Sequence, residues 1–197
     1  MNQMNPQVGT NTHSLTNIMK KFIATATAIA ASLIATPSLA QQQVHNDHVL
    51  IVENLSKVGV TMVVNNPIHC PSSRAGGGSY YPGNAMLIVC QDHGLGDGKL
   101  VDWTSNDYNT LRHEAHHVVQ DCVEGDIGDN RMGMLFDGED FLQFTKGLDE
   151  VVDYIYDDQR KMGRSGDHAM QEVEAYIVAE YIDAPAIAEK VIEFCVN

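Results

Sequence analysis

The chain has 197 residues, and its 26 Asp and Glu residues outnumber its 12 Lys and Arg residues, which gives a formal net charge of −14 at pH 7. A surface of this sign repels nucleic-acid phosphates and anionic lipids, so the composition argues against nucleic-acid binding. Hydrophobic residues make up 44% of the chain, enough to build a packed core.

Three features of the N-terminal segment predict a secretory signal peptide. Met19–Lys21 is basic, Phe22–Ile34 is an uncharged apolar stretch, and Ser38–Ala40 offers a small-x-small cleavage site. The apolar stretch is short and interrupted by Ala, Thr and Ser, which argues against a transmembrane anchor. We therefore expect translation to start at Met19, cleavage after Ala40, and a secreted or periplasmic protein without a stable membrane anchor.

The domain organisation follows from that cleavage site. Residues 1–40 form an N-terminal extension plus signal peptide, and residues 41–197 are long enough for a single domain with its own core. In chain order, apolar residues at helical spacing predict a helix over residues 44–55. The β-branched run 60–64 and the apolar run 85–91 each predict a strand.

The next element carries the most informative motif, H-E-x-x-H at residues 113–117. His113 and His117 are four residues apart and share one face of a helix, so both imidazoles can reach one zinc ion. Glu114 lies about 100° around the helix, where it can act as the base on a water. Asp107 is the predicted N-cap and Gly125 the predicted stop.

The source of a third ligand is the open question, because two histidines and a water leave zinc one ligand short. The extended pattern H-E-x-x-H-x-x-G-x-x-H fails, since Gln120 and Val123 stand where it requires Gly and His. A later predicted helix, opened by Gly166, contains Glu172 and Glu174. These two side chains project about 200° apart, so one can be the ligand and the other a solvated or supporting carboxylate.

The remaining elements predict a helical C-terminal half. Apolar residues from Phe141 to Ile155 form one amphipathic stripe, which predicts a single helix ending at Gly163, and Pro185 begins a last helix. Helices and a small sheet together make an α+β domain.

The four cysteines suggest two disulfides in an exported protein. Three pairings are formally open. We favour Cys70–Cys90, which flank a Gly/Ser-rich segment, with Cys122–Cys195, which end two predicted helices. Zinc–thiolate ligation is the alternative, but none of the four has a partner at C-x-x-C spacing.

The chain resembles the gluzincin class of zinc metallopeptidases, in which H-E-x-x-H on one helix is completed by a Glu in an E-x-x-A setting on a later helix. Residues 172–175, Glu-Val-Glu-Ala, match that setting. The resemblance implies a zincin-like fold, with a small sheet packed on the active-site helix. It also implies Zn²⁺ bound by His113, His117 and Glu172, with Glu114 as general base. Tyr176 is a departure, since many members carry Asp there.

The resemblance implies a zinc-dependent endopeptidase that acts on peptide or protein substrates. Glu114 would take a proton from the attacking water and return it to the leaving amine. His168 and Tyr176, the closest in sequence to the third ligand, are candidate transition-state stabilisers, with Tyr154 and Tyr156 as others. The strand at residues 85–91 could pair with an extended substrate by edge addition.

An alternative function from another class is a secreted zinc- or copper-binding protein without catalysis. It would use His45, His48, His69 and His93 together with the histidines of the pentad. This alternative predicts several weak sites, whereas the peptidase predicts one tight site beside a retained Glu114.

Overall fold

The structure, a computed structural model, describes residues 37–71 and 76–196, with the side chains of residues 37–46 left out. Within this part the chain forms six α-helices and a small mixed sheet, which confirms the predicted α+β class. Most of the predicted signal peptide lies outside the described residues. No helix in the described part is long and apolar enough to cross a membrane.

The elements are α1 Pro37–Lys57, β1 Thr61–Val64, β2 Gly78–Tyr81, β3 Met86–Val89, α2 Ser105–Glu124, α3 Gly138–Phe144, α4 Asp149–Lys161, α5 Gly166–Tyr181 and α6 Ala184–Cys195.

The sheet has the order β1-β3-β2, with β1 parallel and β2 antiparallel to β3. Both predicted strands are present, and β2 is an addition that the sequence did not indicate, because Gly-Ser-Tyr-Tyr lacks β-branched residues. The expectation that residues 85–91 add a substrate strand is wrong. In the described sheet β3 is central and is bonded on both sides, so the edge strand beside the motif is β2.

Helix α2 forms the centre of the domain and packs against β2, α5 and α6. Its buried stripe includes Leu111, Ala115 and Val118, as the spacing predicts. Asp107 is not the N-cap. Thr104 takes that position, and its hydroxyl accepts from the Asp107 amide while the Asp107 carboxylate accepts from the Thr104 amide in a capping box. Gly125 ends the helix as predicted.

The single helix predicted from Phe141 to Gly163 is wrong, because the structure breaks it into α3 and α4. Gly147 lies between them with φ of +84°, a left-handed conformation that interrupts a helix and that glycine adopts without strain. The two helices after the break agree with the sequence. Ser165 caps α5 by accepting from the His168 amide, and Pro185 lies in the first turn of α6.

Both predicted disulfides are confirmed. Cys70–Cys90 closes the segment that contains β2 and packs beside Ile88 of the sheet. Cys122–Cys195 joins the last turns of α2 and α6 across a sequence separation of 73 residues. Two disulfides are compatible with an extracellular or periplasmic location.

Candidate metal centre

The two motif histidines meet a glutamate from α5 at the surface of α2. Nε2 of His113 lies 3.1 Å from Nε2 of His117. Oε2 of Glu172 lies 3.4 Å from the first of these nitrogens and 3.8 Å from the second. Together they form a group of two imidazoles and one carboxylate that could hold a metal ion.

The spacing of this group agrees with a tetrahedral site. Zn–N bonds of about 2.0–2.1 Å at tetrahedral angles place two ligand nitrogens about 3.3 Å apart. The three separations of 3.1, 3.4 and 3.8 Å fall within about half an ångström of that value. The donor set and its geometry therefore fit zinc.

Gln120 orients one of the two imidazoles. Its Oε1 lies 2.7 Å from Nδ1 of His117, and its side chain is fully buried. An amide oxygen can only accept, so Nδ1 carries the proton and Nε2 is directed at the group. The Gln120 amide nitrogen donates to the Gln171 carbonyl at 3.0 Å, which fixes Gln120 between the two helices.

The second oxygen of Glu172 is held by two side chains, one from the turn before α5 and one from the first turn of α5. Nη1 of Arg164 lies 2.9 Å and Nε2 of His168 lies 3.2 Å from Oε1. Arg164 also contacts His168. Both side chains therefore bind the face of the carboxylate that points away from the histidines and turn Oε2 towards them.

The neighbouring Glu174 has a different place. It is fully buried, and its Oε1 lies 2.6 Å from Nε2 of His116 and accepts from the Leu135 amide at 3.0 Å. Its Oε2 accepts from the Phe136 amide at 3.1 Å. Glu174 is therefore neither beside the motif histidines nor solvated. It joins α2 and α5 to the segment before α3.

Glu114 lies between α2 and β2 and is nearly buried, with 5% of its surface exposed. It packs on Gly78 so closely that a Cβ at that position would lie 2.6 Å from its Cγ. The Tyr80 amide donates to it. Burial raises the pKa of Glu114 against the opposing charges of His113 and His117, which favours a carboxylate able to accept a proton.

The metal-free triad is a strongly coupled set of charges. Burial alone would lower the pKa of His117, but the hydrogen bond to Glu172 and the charge of Glu114 outweigh it and raise that pKa to about 9. Burial likewise opposes ionisation of Glu172, yet its bonds with His113 and His117 hold its pKa far below the usual range. A cation at this position would replace the proton that these carboxylates hold on His117.

A cleft of about 250 Å³ gives access to the triad. β2 forms one wall, and α5 with the preceding Arg164 forms the other. Of the candidate stabilisers, His168 lines this cleft, whereas Tyr176 does not and is 46% exposed. The cleft-lining Tyr80 donates its hydroxyl to Asp121 at 2.7 Å, so that hydroxyl is already committed. The lining residues are Gly78, Ser79, Tyr80, His113, Glu114, His117, Met132, Arg164, His168, Gln171 and Glu172.

A larger cavity of about 340 Å³ lies elsewhere, and α2 contributes Tyr108 and Leu111 to it. Its lining is almost entirely apolar and aromatic, including Trp103, and it contains none of the triad. Size alone would favour this cavity as a site. The group that could hold a metal ion nevertheless lies in the smaller cleft.

Three contributors to the site were missed from the sequence. Gly78 and Tyr80 belong to the unpredicted strand β2. Arg164 lies eight residues before Glu172 in a turn, and no local pattern connects the two. Gln120 lies three residues after His117, on the same flank of α2, but its bond to His117 could be seen only with side chains in place.

Comparison of the chain with family models, curated proteins and solved structures finds no match in any of the three.

Proposed function

We propose that this protein is a zinc-dependent endopeptidase, secreted or periplasmic, that hydrolyses peptide bonds in peptide or protein substrates. The observation that carries the proposal is a buried carboxylate, Glu114, beside a group of two imidazoles and one carboxylate with tetrahedral spacing. A pure metal-binding protein has no need of a second carboxylate that is not a ligand at that position.

The donor set favours zinc as the metal. Three protein ligands of the type His₂Glu are typical of catalytic zinc sites in peptidases. Zinc bound here would supply Lewis acidity, lowering the pKa of a bound water and polarising the substrate carbonyl. His113, His117 and Glu172 would hold it.

Glu114 would act as the general base and then the general acid. Its raised pKa brings proton acceptance and donation closer to neutral pH. The Tyr80 amide and the close packing against Gly78 fix the direction of its carboxylate, so little freedom is lost when a substrate binds.

β2 is the proposed substrate-binding strand. It is an edge strand of the described sheet, and Gly78, Ser79 and Tyr80 line the cleft. An extended peptide added antiparallel or parallel to this edge would pass directly over Glu114. Such binding relies on backbone groups and gives weak dependence on the substrate side chains.

The alternative of a non-catalytic zinc or copper binder has less support. Among the described residues, the triad is the one group of three or more ligand-type side chains close enough to share an ion. His48, which the alternative requires at the surface, is buried and lies 2.9 Å from Nη1 of Arg112. A multi-site metal buffer would need such histidines to be accessible.

The test uses Glu114→Gln in the full mature chain, with Glu180→Gln as the matched control. Glu180 lies on α5, and its contact is a hydrogen bond from Asn109 at the surface. We expect wild type and the control to hold one zinc per chain after dialysis and to cleave an unstructured protein such as casein. Glu114→Gln should hold the same zinc and lose at least 100-fold in kcat, because an amide cannot accept the proton.

Elemental analysis and peptide mapping of the products give the two readouts. Zinc-loaded wild type that cleaves no member of a mixed peptide library would contradict the peptidase proposal. Several exchangeable ions per chain would favour the metal buffer.

A further inference from the structure

Arg164 is a cation inside a cleft of an acidic protein, and the proposed hydrolysis does not use it. It follows Gly163, whose φ of +85° turns the chain between α4 and α5. From this turn the side chain runs along α5 to Glu172, two helical turns further on. It lines the cleft together with the triad, and 39% of its side chain is exposed.

Only one corner of the guanidinium is engaged. Nη1 makes the contacts to Glu172 and His168. Nε and Nη2 have no partner among the described residues of the chain. An arginine presents five donors in a planar fork, and the two parallel bonds that such a fork makes to a carboxylate are its strongest contact.

The charge balance of the cleft also favours an anion. With a divalent ion at the triad, the positive charges of the ion and Arg164 exceed the negative charges of Glu114 and Glu172 by one. The rest of the chain is strongly negative. An anion in the cleft therefore meets an attractive local charge in a low-dielectric recess, which contributes most at short range.

Distances limit where that anion can sit on a substrate. The Glu172 carboxylate bridges Arg164 Nη1 and His113 Nε2, with contacts of 2.9 and 3.4 Å. With ordinary carboxylate bonds, these two nitrogens are at most about 9 Å apart. An extended peptide advances about 3.5 Å per residue, so a residue next to the cleaved bond, on either side of it, can reach the fork, and residues several positions away cannot.

We propose that Arg164 anchors a substrate carboxylate on a residue next to the cleaved bond. Two sources share this chemistry, the C-terminal carboxylate of a short peptide and the side chain of an internal Asp or Glu. The inference rests on the proposed peptidase function. It adds to that function a preference for an anion at one substrate position.

The test measures binding without turnover. Zinc-loaded Glu114→Gln is titrated calorimetrically with an N-acetylated peptide ending in a free carboxylate, and with the same peptide as its C-terminal amide. We expect the acid to bind at least tenfold more tightly, as charge-assisted bonds to a buried or half-buried partner typically give. Adding Arg164→Ala to this variant should abolish the difference, and Arg164→Lys should keep part of it.

Three further arms separate the explanations. An amidated peptide with Asp or Glu in its last position tests the side-chain source of the carboxylate. Arg131→Ala removes an exposed Arg–Asp pair outside the cleft and should leave the preference unchanged. Zinc content, measured for each variant, shows whether loss of Arg164 acts by disturbing Glu172.

The outcomes are distinct. Equal binding of acid and amide to zinc-loaded Glu114→Gln overturns the anchor proposal while leaving the peptidase proposal intact. A preference for the acid that persists in Arg164→Ala also overturns it, because the carboxylate would then bind the metal itself. A third outcome would contradict the peptidase proposal instead. In that outcome the wild type hydrolyses no peptide, while the preference for the acid over the amide still depends on Arg164.

Discussion

Glu172 and Glu174 are separated by one residue on α5, and their truncation should impair different properties of the protein. Glu172 faces the motif histidines and the cleft, whereas Glu174 lies in the interior against His116. We expect Glu172→Ala to affect chiefly metal affinity and Glu174→Ala to affect chiefly folding stability. The contrast tests the assignment of the third ligand without any measurement of catalysis.

The loss at Glu174 can be worked out from its partners. Truncation leaves the His116 imidazole and the amides of Leu135 and Phe136 without their acceptor in a fully buried position. Each unpaired buried donor costs about 1–3 kcal/mol. We expect a loss of about 4 kcal/mol or more from a total that is commonly about 5–15 kcal/mol.

The loss at Glu172 is of another kind. Its carboxylate is 16% exposed in the cleft, so water can solvate the groups that it leaves behind. Removal of an outer hydrogen-bond partner of a metal ligand typically costs about 10–100-fold in metal affinity. Loss of a ligand itself should exceed that range.

Urea unfolding of the metal-free variants gives the stability, and competition with a chromophoric chelator gives the zinc dissociation constant. Glu180→Ala on the same helix is the control and should change either quantity little, because its bond to Asn109 is exposed. If Glu174→Ala proves unable to fold, Glu174→Gln serves in its place with an expected loss of about 1–3 kcal/mol. Unchanged zinc affinity in Glu172→Ala, or metal-free stability of the Glu174 variant within 1 kcal/mol of wild type, would refute the reasoning.

Three further predictions concern the support of the site. Gly78→Ala should reduce kcat at least tenfold and retain zinc, because the added methyl group displaces Glu114. Retained turnover would show that strand β2 moves instead of Glu114. Gln120→Ala should lower the zinc affinity, measured by chelator competition, by about 10–100-fold, since His117 loses its orienting partner. A change of less than about twofold in zinc affinity would contradict that role of Gln120. Reduction of Cys122–Cys195 should lower the free energy of unfolding, measured in urea, by about 4 kcal/mol, because the unfolded chain gains the entropy of the opened loop. Reduction should also weaken zinc binding. Thiol titration confirms reduction, and an unaltered zinc affinity would refute the link between this disulfide and the metal site.

The local part of the site could be predicted from the sequence because its signals are local. The four-residue spacing of His113 and His117 fixes their common face whatever the rest of the fold does. The apolar stripe fixes which side of α2 is buried, and Gly125 marks its end. Only the first turn was misplaced, because Asp107 and Thr104 belong to one reciprocal cap, in which Thr104 is the N-cap and Asp107 the third helical residue.

The choice between Glu172 and Glu174 could not be made in the same way. Helical geometry shows that the two project to different sides, but it does not show which side faces α2. Two fully buried alanines, Ala175 and Ala179, indicate where α2 approaches α5 closely. The amide partners of Glu174 come from Leu135 and Phe136, almost forty residues earlier, and no periodicity within α5 reports such a partner.

The break at Gly147 shows a different limit. The apolar positions on either side keep helical spacing, so the stripe predicts one helix. A single glycine in left-handed conformation is enough to end α3 and restart the chain as α4. Periodicity reports which residues are buried, and it does not report whether the backbone between them is continuous.

The contacts between α2 and α5 explain how a site with ligands on two helices can be formed before a metal binds. Along α2, Nε of Arg112 donates to the Ala179 carbonyl at 2.7 Å. Further along, His116 pairs with Glu174 and Gln120 bonds the Gln171 carbonyl. These contacts lie on both sides of His113 and His117, so the helix separation that places Glu172 is set by the fold. A metal ion that enters this cleft therefore need not draw the helices together, which reduces the ordering cost of binding.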